Sequence, residues 1–342
     1  MKRRSFKTFR LLLASLILIL STQAATAQSR TLPRISFLNS APADFLYFLF
    51  NRTEPSVAPK LDSLLNMGQV PTIDALISLP EIVASEGVTT YEGIYPVLER
   101  YYSPKALSRS RRSPKKLAFS DRYPSYDTLL ALVRAGAPYY PKFLEYWKEH
   151  VAPAEYRQME VWRQQLTELQ VLDSFYALTR MRLRTDSLQI AAIAFHVAGS
   201  ANYTPAGIYT SLFKKPNLPW VIGHEATHLL LTGPVGVNWM KRPAARALAA
   251  LAKQKGENLY EIEENMCHFM QALLSRTCGT RPKDYAIAAP YPEGFRKRFL
   301  EQLEAGLHQY RAGREDLADW MMRTASITLL AMPDAVRSPE TD

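Results

Sequence analysis

Apolar positions recur at helical spacing over most of the chain, in segments broken by proline. Residues Tyr91–Tyr102, Tyr126–Ala135 and Tyr139–His150 are predicted as short helices. Pro153, well placed in a first turn, opens a longer helix to about Met181. Val161, Leu166, Leu169, Leu172, Phe175 and Leu178 mark its apolar positions. Residues 28–60 are Pro-rich, with one apolar run, Phe45 to Phe50. The period changes after residue 186. Ser187–Val197 reads as a strand, Gly199–Asn202 as a turn or loop, and Gly207–Phe213 as a second strand. Pro216 and Pro219 then flank the entry to a helix over Leu218–Leu231, and Gly233-Pro234 stops it. Further helices are predicted at Pro243–Gln254, Glu257–Arg276, Gly294–Tyr310 and Arg314–Leu330, with a loose tail after Pro333.

These elements predict an α+β fold, mostly helical, with a small sheet near the middle of the chain. No series of strand–helix–strand units appears, so a doubly wound sheet is not expected. Residues 28–182 are expected as a mainly helical N-terminal region, 183–332 as a second domain and 333–342 as a flexible tail. Residues 1–27 read as a secretory signal peptide. Lys2, Arg3, Arg4, Lys7 and Arg10 form its basic start, and Leu11–Leu20 is an apolar run too short to favour a spanning helix. Ala25-Thr26-Ala27 has the form of a cleavage site. The expectation is an exported protein, periplasmic or extracellular, with no stable membrane insertion after cleavage.

The composition, 47% hydrophobic and 22% charged over 342 residues, is that of a globular protein. The net charge of +10 falls to +5 once the five cations of the signal are set aside. That surplus is mild, and no nucleic-acid partner is expected. The cations Lys105, Arg109, Arg111, Arg112, Lys115 and Lys116, mixed with serine and proline, read as an exposed loop. Two cysteines exclude a disulfide-stapled scaffold, and no glycine-rich nucleotide loop occurs among the 14 glycines.

The chemistry is concentrated in His224-Glu225-Ala226-Thr227-His228. On a helix, side chains four apart share a face, so two imidazoles at this spacing can reach one zinc ion. Glu225 follows the first histidine and is placed beside the ion without ligating it, as a general base for water. Trp220, Val221, Ile222, Leu229, Leu230 and Leu231 supply apolar surroundings.

A catalytic zinc takes a third protein ligand and keeps one position open. The metzincin extension needs Gly and His three and six residues past His228, where Leu231 and Pro234 stand. A Gly-Thr-x-Asp ligand motif is broken at Gly279-Thr280, because Pro282 occupies the aspartate position and Asp284 comes two residues late. The segment Tyr260-Glu261-Ile262-Glu263-Glu264-Asn265-Met266-Cys267-His268-Phe269-Met270 lies on a predicted helix about 36 residues after His228. With it, residues 187–276 resemble the gluzincin metallopeptidases, the broad thermolysin-like class. Their ligand glutamate is followed by apolar residues at +2, +5 and +6. Met266, Phe269 and Met270 satisfy this for Glu264. The helical wheel instead places Glu263 nearer the apolar face, and an Asn two residues on also fits some zinc peptidases. Glu264 is therefore taken as the third ligand, with Glu263 as the alternative. His268 stands at +4 from Glu264, where thermolysin-like members carry an acid.

The resemblance implies a zincin-like domain and a secreted zinc metallopeptidase that hydrolyses peptide bonds by zinc-activated water, with Glu225 as general base. It implies a peptide or protein substrate aligned on an edge strand, either Gly207–Phe213 or Ser200–Pro205. It also implies an oxyanion donor, for which Tyr260, Tyr285, Tyr291 and His308 are candidates. His196 reads as a core residue, and His150 as a cation at a helix end. Cys267 and Cys278 would lie about 16 Å apart if the helix persisted between them, too far to bridge. Two other readings stand beside the peptidase: a zinc hydrolase acting on a non-peptide or cell-wall amide bond, and a non-catalytic binding protein of the envelope.

Overall fold

The computed structural model describes residues 34–50, 61, 65–66, 79–106, 125–195, 201–204, 207–211, 217–313 and 315–333. The signal segment, Arg109–Lys116 of the basic cluster, His196 and residues 334–342 lie outside them. The architecture is α+β and mostly helical, as expected.

Four strands form one sheet: β1 (Arg34–Leu38), β2 (Ser187–Ile193), β3 (Ala201–Tyr203) and β4 (Ile208–Ser211). Their order is β1-β2-β4-β3, with β1, β2 and β4 parallel and β3 antiparallel to β4. Two of these strands differ from the sequence reading. β1 sits in the segment read only as Pro-rich, because a five-residue strand carries too little alternation to stand out. β3 includes Ala201 and Asn202, both within the expected turn or loop. It is held by pairing to β4, and Thr204 and Gly207 close the hairpin through reciprocal backbone hydrogen bonds. At Gly207 a Cβ would lie 2.6 Å from the Gln189 carbonyl oxygen, so only glycine lets β4 begin this close to β2.

Before β2 the chain forms α1 (Ala41–Phe50), α2 (Leu79–Ser85), α3 (Ile94–Tyr102), α4 (Tyr126–Gly136), α5 (Tyr140–Tyr146), α6 (Ala152–Glu168) and α7 (Val171–Thr179). A π-helical turn, Trp147–Val151, joins α5 to α6. It carries Trp147, whose indole N–H donates to Asp44 across 2.8 Å. The Ala194 amide donates to the same buried carboxylate, so α1 is tied both to this turn and to the end of β2. The single helix expected from Pro153 to Met181 is two helices. Gln170 takes a left-handed conformation (φ 47°), which ends one helix and starts the next.

The expected boundary at residue 182 does not divide the fold. β1 pairs with β2 along its whole length, and from Arg34 onward the chain forms one unit.

After the sheet come α8 (Leu218–Leu231), α9 (Pro243–Gln254), α10 (Leu259–Thr277), α11 (Phe295–Ala312) and α12 (Leu317–Leu330). No helix among the described residues is long and apolar enough to cross a membrane. α8 begins at Asn217, whose side chain accepts from the Trp220 amide, with Pro219 in the first turn. α10 begins likewise at Asn258, which accepts from the Glu261 amide.

The close crossing of α8 and α10 centres on Gly223. A Cβ there would meet Gln271 Cα at 2.6 Å and the Met270 carbonyl oxygen at 2.9 Å. Gly223→Ala gains about 1 kcal/mol of helix propensity. The backbone clash costs about 3 kcal/mol and wins. The expected net loss is about 2 kcal/mol, or a fall of roughly 4 °C in Tm by thermal denaturation.

Candidate metal centre

Gly223 lets two helix backbones meet, and the residue after it is His224. The Nε2 atoms of His224 and His228 each lie 3.2 Å from an oxygen of Glu264, on the facing helix. All three side chains are partly or wholly buried. Both imidazole-to-carboxylate distances suit donors around a metal ion. A tetrahedral zinc with bonds of 2.0–2.2 Å places neighbouring donors about 3.3 Å apart.

Each imidazole is held from behind. His228 Nδ1 lies 2.9 Å from Glu263 Oε1, and His224 Nδ1 lies 2.9 Å from Gln271 Oε1. Such partners fix ring orientation and leave Nε2 for an ion. Tyr203, at the end of β3, stacks on the His228 ring at 4.7 Å and 18°.

Glu263 is almost fully buried, with 3% of its surface exposed. Besides His228 it accepts from the Thr232 hydroxyl (2.8 Å) and the Trp239 indole (2.7 Å). The chain between α8 and α9 is shaped to deliver these donors. Thr232 ends α8, Val237 returns a hydrogen bond to the Leu230 carbonyl, and Asn238 in a left-handed conformation (φ 48°) turns Trp239 inward. Both Glu263 oxygens are thereby committed, whereas those of Glu264 face the Nε2 atoms. The wheel placed Glu263 on the buried side correctly, and its partners there are three donors.

The centre draws positive charge. Burial pulls His228 towards the neutral form, but Cys267, Glu263 and Glu264 outweigh it and hold the imidazolium well above its usual range. Burial raises the Glu264 carboxyl, yet hydrogen bonds from His224 and His228 overcome this and leave it well below the usual carboxylate range. Glu225 is buried beside both histidines. Desolvation raises its carboxyl, and the two imidazoles act in the opposite direction. His224, Glu225 and His228 form one group of closely spaced ligand atoms, and His224, Glu264 and His268 form another.

His268 sits one turn beyond Glu264, with Nε2 3.7 Å from Glu264 Oε1 and Nδ1 2.8 Å from Gln271 Nε2. Burial, then the charges of His224 and Arg296, lower it to about 4. Among the proposed oxyanion donors, Tyr291 lies beyond His268, its ring 6.3 Å away and covered by the Arg296 guanidinium. Tyr260 is exposed one turn before Glu264, Tyr285 lies under Arg281, and His308 is exposed on α11. His150 is exposed beside Glu149. Both cysteines are free thiols; Cys267 is buried, and its thiol is raised to about 12 by desolvation.

The sequence reading missed Gln271, Thr232, Trp239 and Tyr203. One signal was present: Glu264, His268 and Gln271 are spaced i, i+4, i+7 and share one face of α10. No family model, curated protein or solved structure matches the chain.

Proposed function

We propose that this protein is a zinc-dependent hydrolase of peptide bonds, in which His224, His228 and Glu264 hold the ion and Glu225 is the general base. One observation carries the reading. The Nε2 atoms of His224 and His228 each lie 3.2 Å from one oxygen of the Glu264 carboxylate, with a buried glutamate beside them. A zinc ion supplies Lewis acidity there, lowering the pKa of water and polarising a carbonyl. The chain does the rest. Glu225 takes a proton from the attacking water at its carboxylate and passes it to the departing amine nitrogen. Glu263 and Gln271 keep the two rings oriented. The apolar side chains of α8 limit water around the reacting groups.

The sheet favours a peptide as substrate. Among the described residues β3 pairs on one side only, with β4, and its last residue stacks on His228. An extended peptide added to that edge by main-chain hydrogen bonds would run towards the metal centre. Of the two edge candidates, Ser200–Pro205 contains this strand, whereas β4 lies inside the sheet. A buried glutamate next to the first histidine also favours catalysis over a purely structural ion, which needs no base.

The test is digestion of a complex peptide library by the purified, zinc-loaded protein, with cuts read by mass spectrometry. Expected are cuts that vanish with a chelator and in the Glu225→Gln variant. A library left intact by the zinc-loaded protein overturns the peptidase reading.

A further inference from the structure

A side-chain amide has one accepting end and one donating end. Gln271 uses both on histidines: Oε1 faces His224 Nδ1 at 2.9 Å, and Nε2 faces His268 Nδ1 at 2.8 Å. For His224 to offer the Nε2 lone pair to a cation, its proton must sit on Nδ1. That N–H donates to Gln271 Oε1. The amide NH₂ must then point at His268 Nδ1, which accepts. A neutral imidazole that accepts at Nδ1 carries its proton on Nε2. The state of one ring fixes the other through a single side chain. Turning the amide over would place its NH₂ against the His224 N–H, so the arrangement does not depend on how its two ends are assigned.

We infer that Gln271 holds the two histidines in opposite tautomers, making His224 a ligand and His268 an N–H donor that faces the centre and does not ligate. This rests on the zinc reading above. Distance alone would count His268 among the ligands, since its ring nitrogen groups with those of His224 and Glu264. Its proton excludes it. The centre then keeps three protein ligands and an open position, the form of a catalytic rather than a structural site. The His268 N–H then stands beside the ligand set, its Nε2 3.7 Å from Glu264 Oε1, and can donate to a carbonyl oxygen that gains negative charge during attack.

Three measurements on the whole purified protein test this. In nitrogen-15 spectra of the unaltered chain, His268 should be protonated at Nε2; protonation at Nδ1 overturns the inference. His268→Ala should bind zinc within about threefold of the parent by chelator competition, whereas loss of a true ligand would exceed the 10–100-fold cost of an outer partner. A weakening beyond about a hundred-fold therefore overturns it. Gln271→Glu offers an acceptor at both ends, so His268 can move its proton to Nδ1 and turn a lone pair to the ion. Zinc should then bind at least about tenfold tighter, and the cobalt-loaded protein should show the absorption change of an added ligand. An unchanged cobalt spectrum overturns the inference. None of these readouts uses a substrate, so a protein that cuts no peptide would defeat the hydrolase reading and leave them standing. With a cleavable peptide, His268→Ala should lower kcat about a hundred-fold at similar KM, and His268→Gln should restore part of it. An unchanged kcat in His268→Ala removes the donor role.

Discussion

Glu225→Gln is expected to bind zinc like the parent and to hydrolyse peptides about a thousand-fold more slowly. The carboxylate is buried beside His224 and His228, close enough to reach water between them, while Glu264 faces both Nε2 atoms. Glutamine has the same shape and fills the same space, so packing is kept. It cannot accept a proton at the pH of the reaction. General-base catalysis contributes about 10²–10⁴-fold, and a thousand-fold is about 4 kcal/mol at the barrier. The loss should appear in kcat, because the base works on the attacking water and not on the bound peptide. Zinc content by atomic emission and turnover of a library-derived peptide are the two measurements. Full turnover in the variant would remove Glu225 from the mechanism.

The second large effect is a contrast between neighbours. Glu264→Ala should fold and lose zinc affinity by more than about a hundred-fold, beyond the cost of losing an outer partner. Glu263→Ala should show the reverse emphasis. It strips the acceptor from His228 Nδ1, the Thr232 hydroxyl and the Trp239 indole. Leaving buried donors unpaired costs about 1–3 kcal/mol each. A net loss of about 3 kcal/mol is expected by chemical denaturation, with zinc weakened about 10–100-fold through the loosened ring. If Glu263→Ala abolished binding while Glu264→Ala retained it, the third ligand would be Glu263.

The helices that carry the centre were legible in the sequence because their ends are chemically marked. Pro216, Pro219 and Gly233-Pro234 mark α8, and the predicted limits Leu218–Leu231 are the observed ones. The spacing His224–His228 named two of the converging groups for the same reason, since it depends only on helix geometry. The choice between Glu263 and Glu264 was not legible. Both adjoin the centre on one turn of α10, one behind an imidazole and one in front of it. That distinction is made by Trp239 and Thr232, from a loop whose path rests on Asn238 and on hydrogen bonds to α8. Periodicity carries no trace of such a path. Nor did it show β1, whose pairing is decided by β2, with Ser36 and Ser187 in hydrogen-bond contact 151 residues apart.

That separation has a consequence for how the chain comes into being. At about 5–20 residues per second, β1 leaves the ribosome roughly 8–30 s before β2 exists. Until then its Ile35 and Phe37 have no sheet to join. Parallel pairing over so long a loop must overcome a large closure entropy before any hydrogen bond forms. Sheet assembly is therefore a late, slow event, and a nascent chain held unfolded by a carrier would lose little by waiting. The sheet edge proposed to receive the peptide thus belongs to a structure completed only after most of the chain has been made.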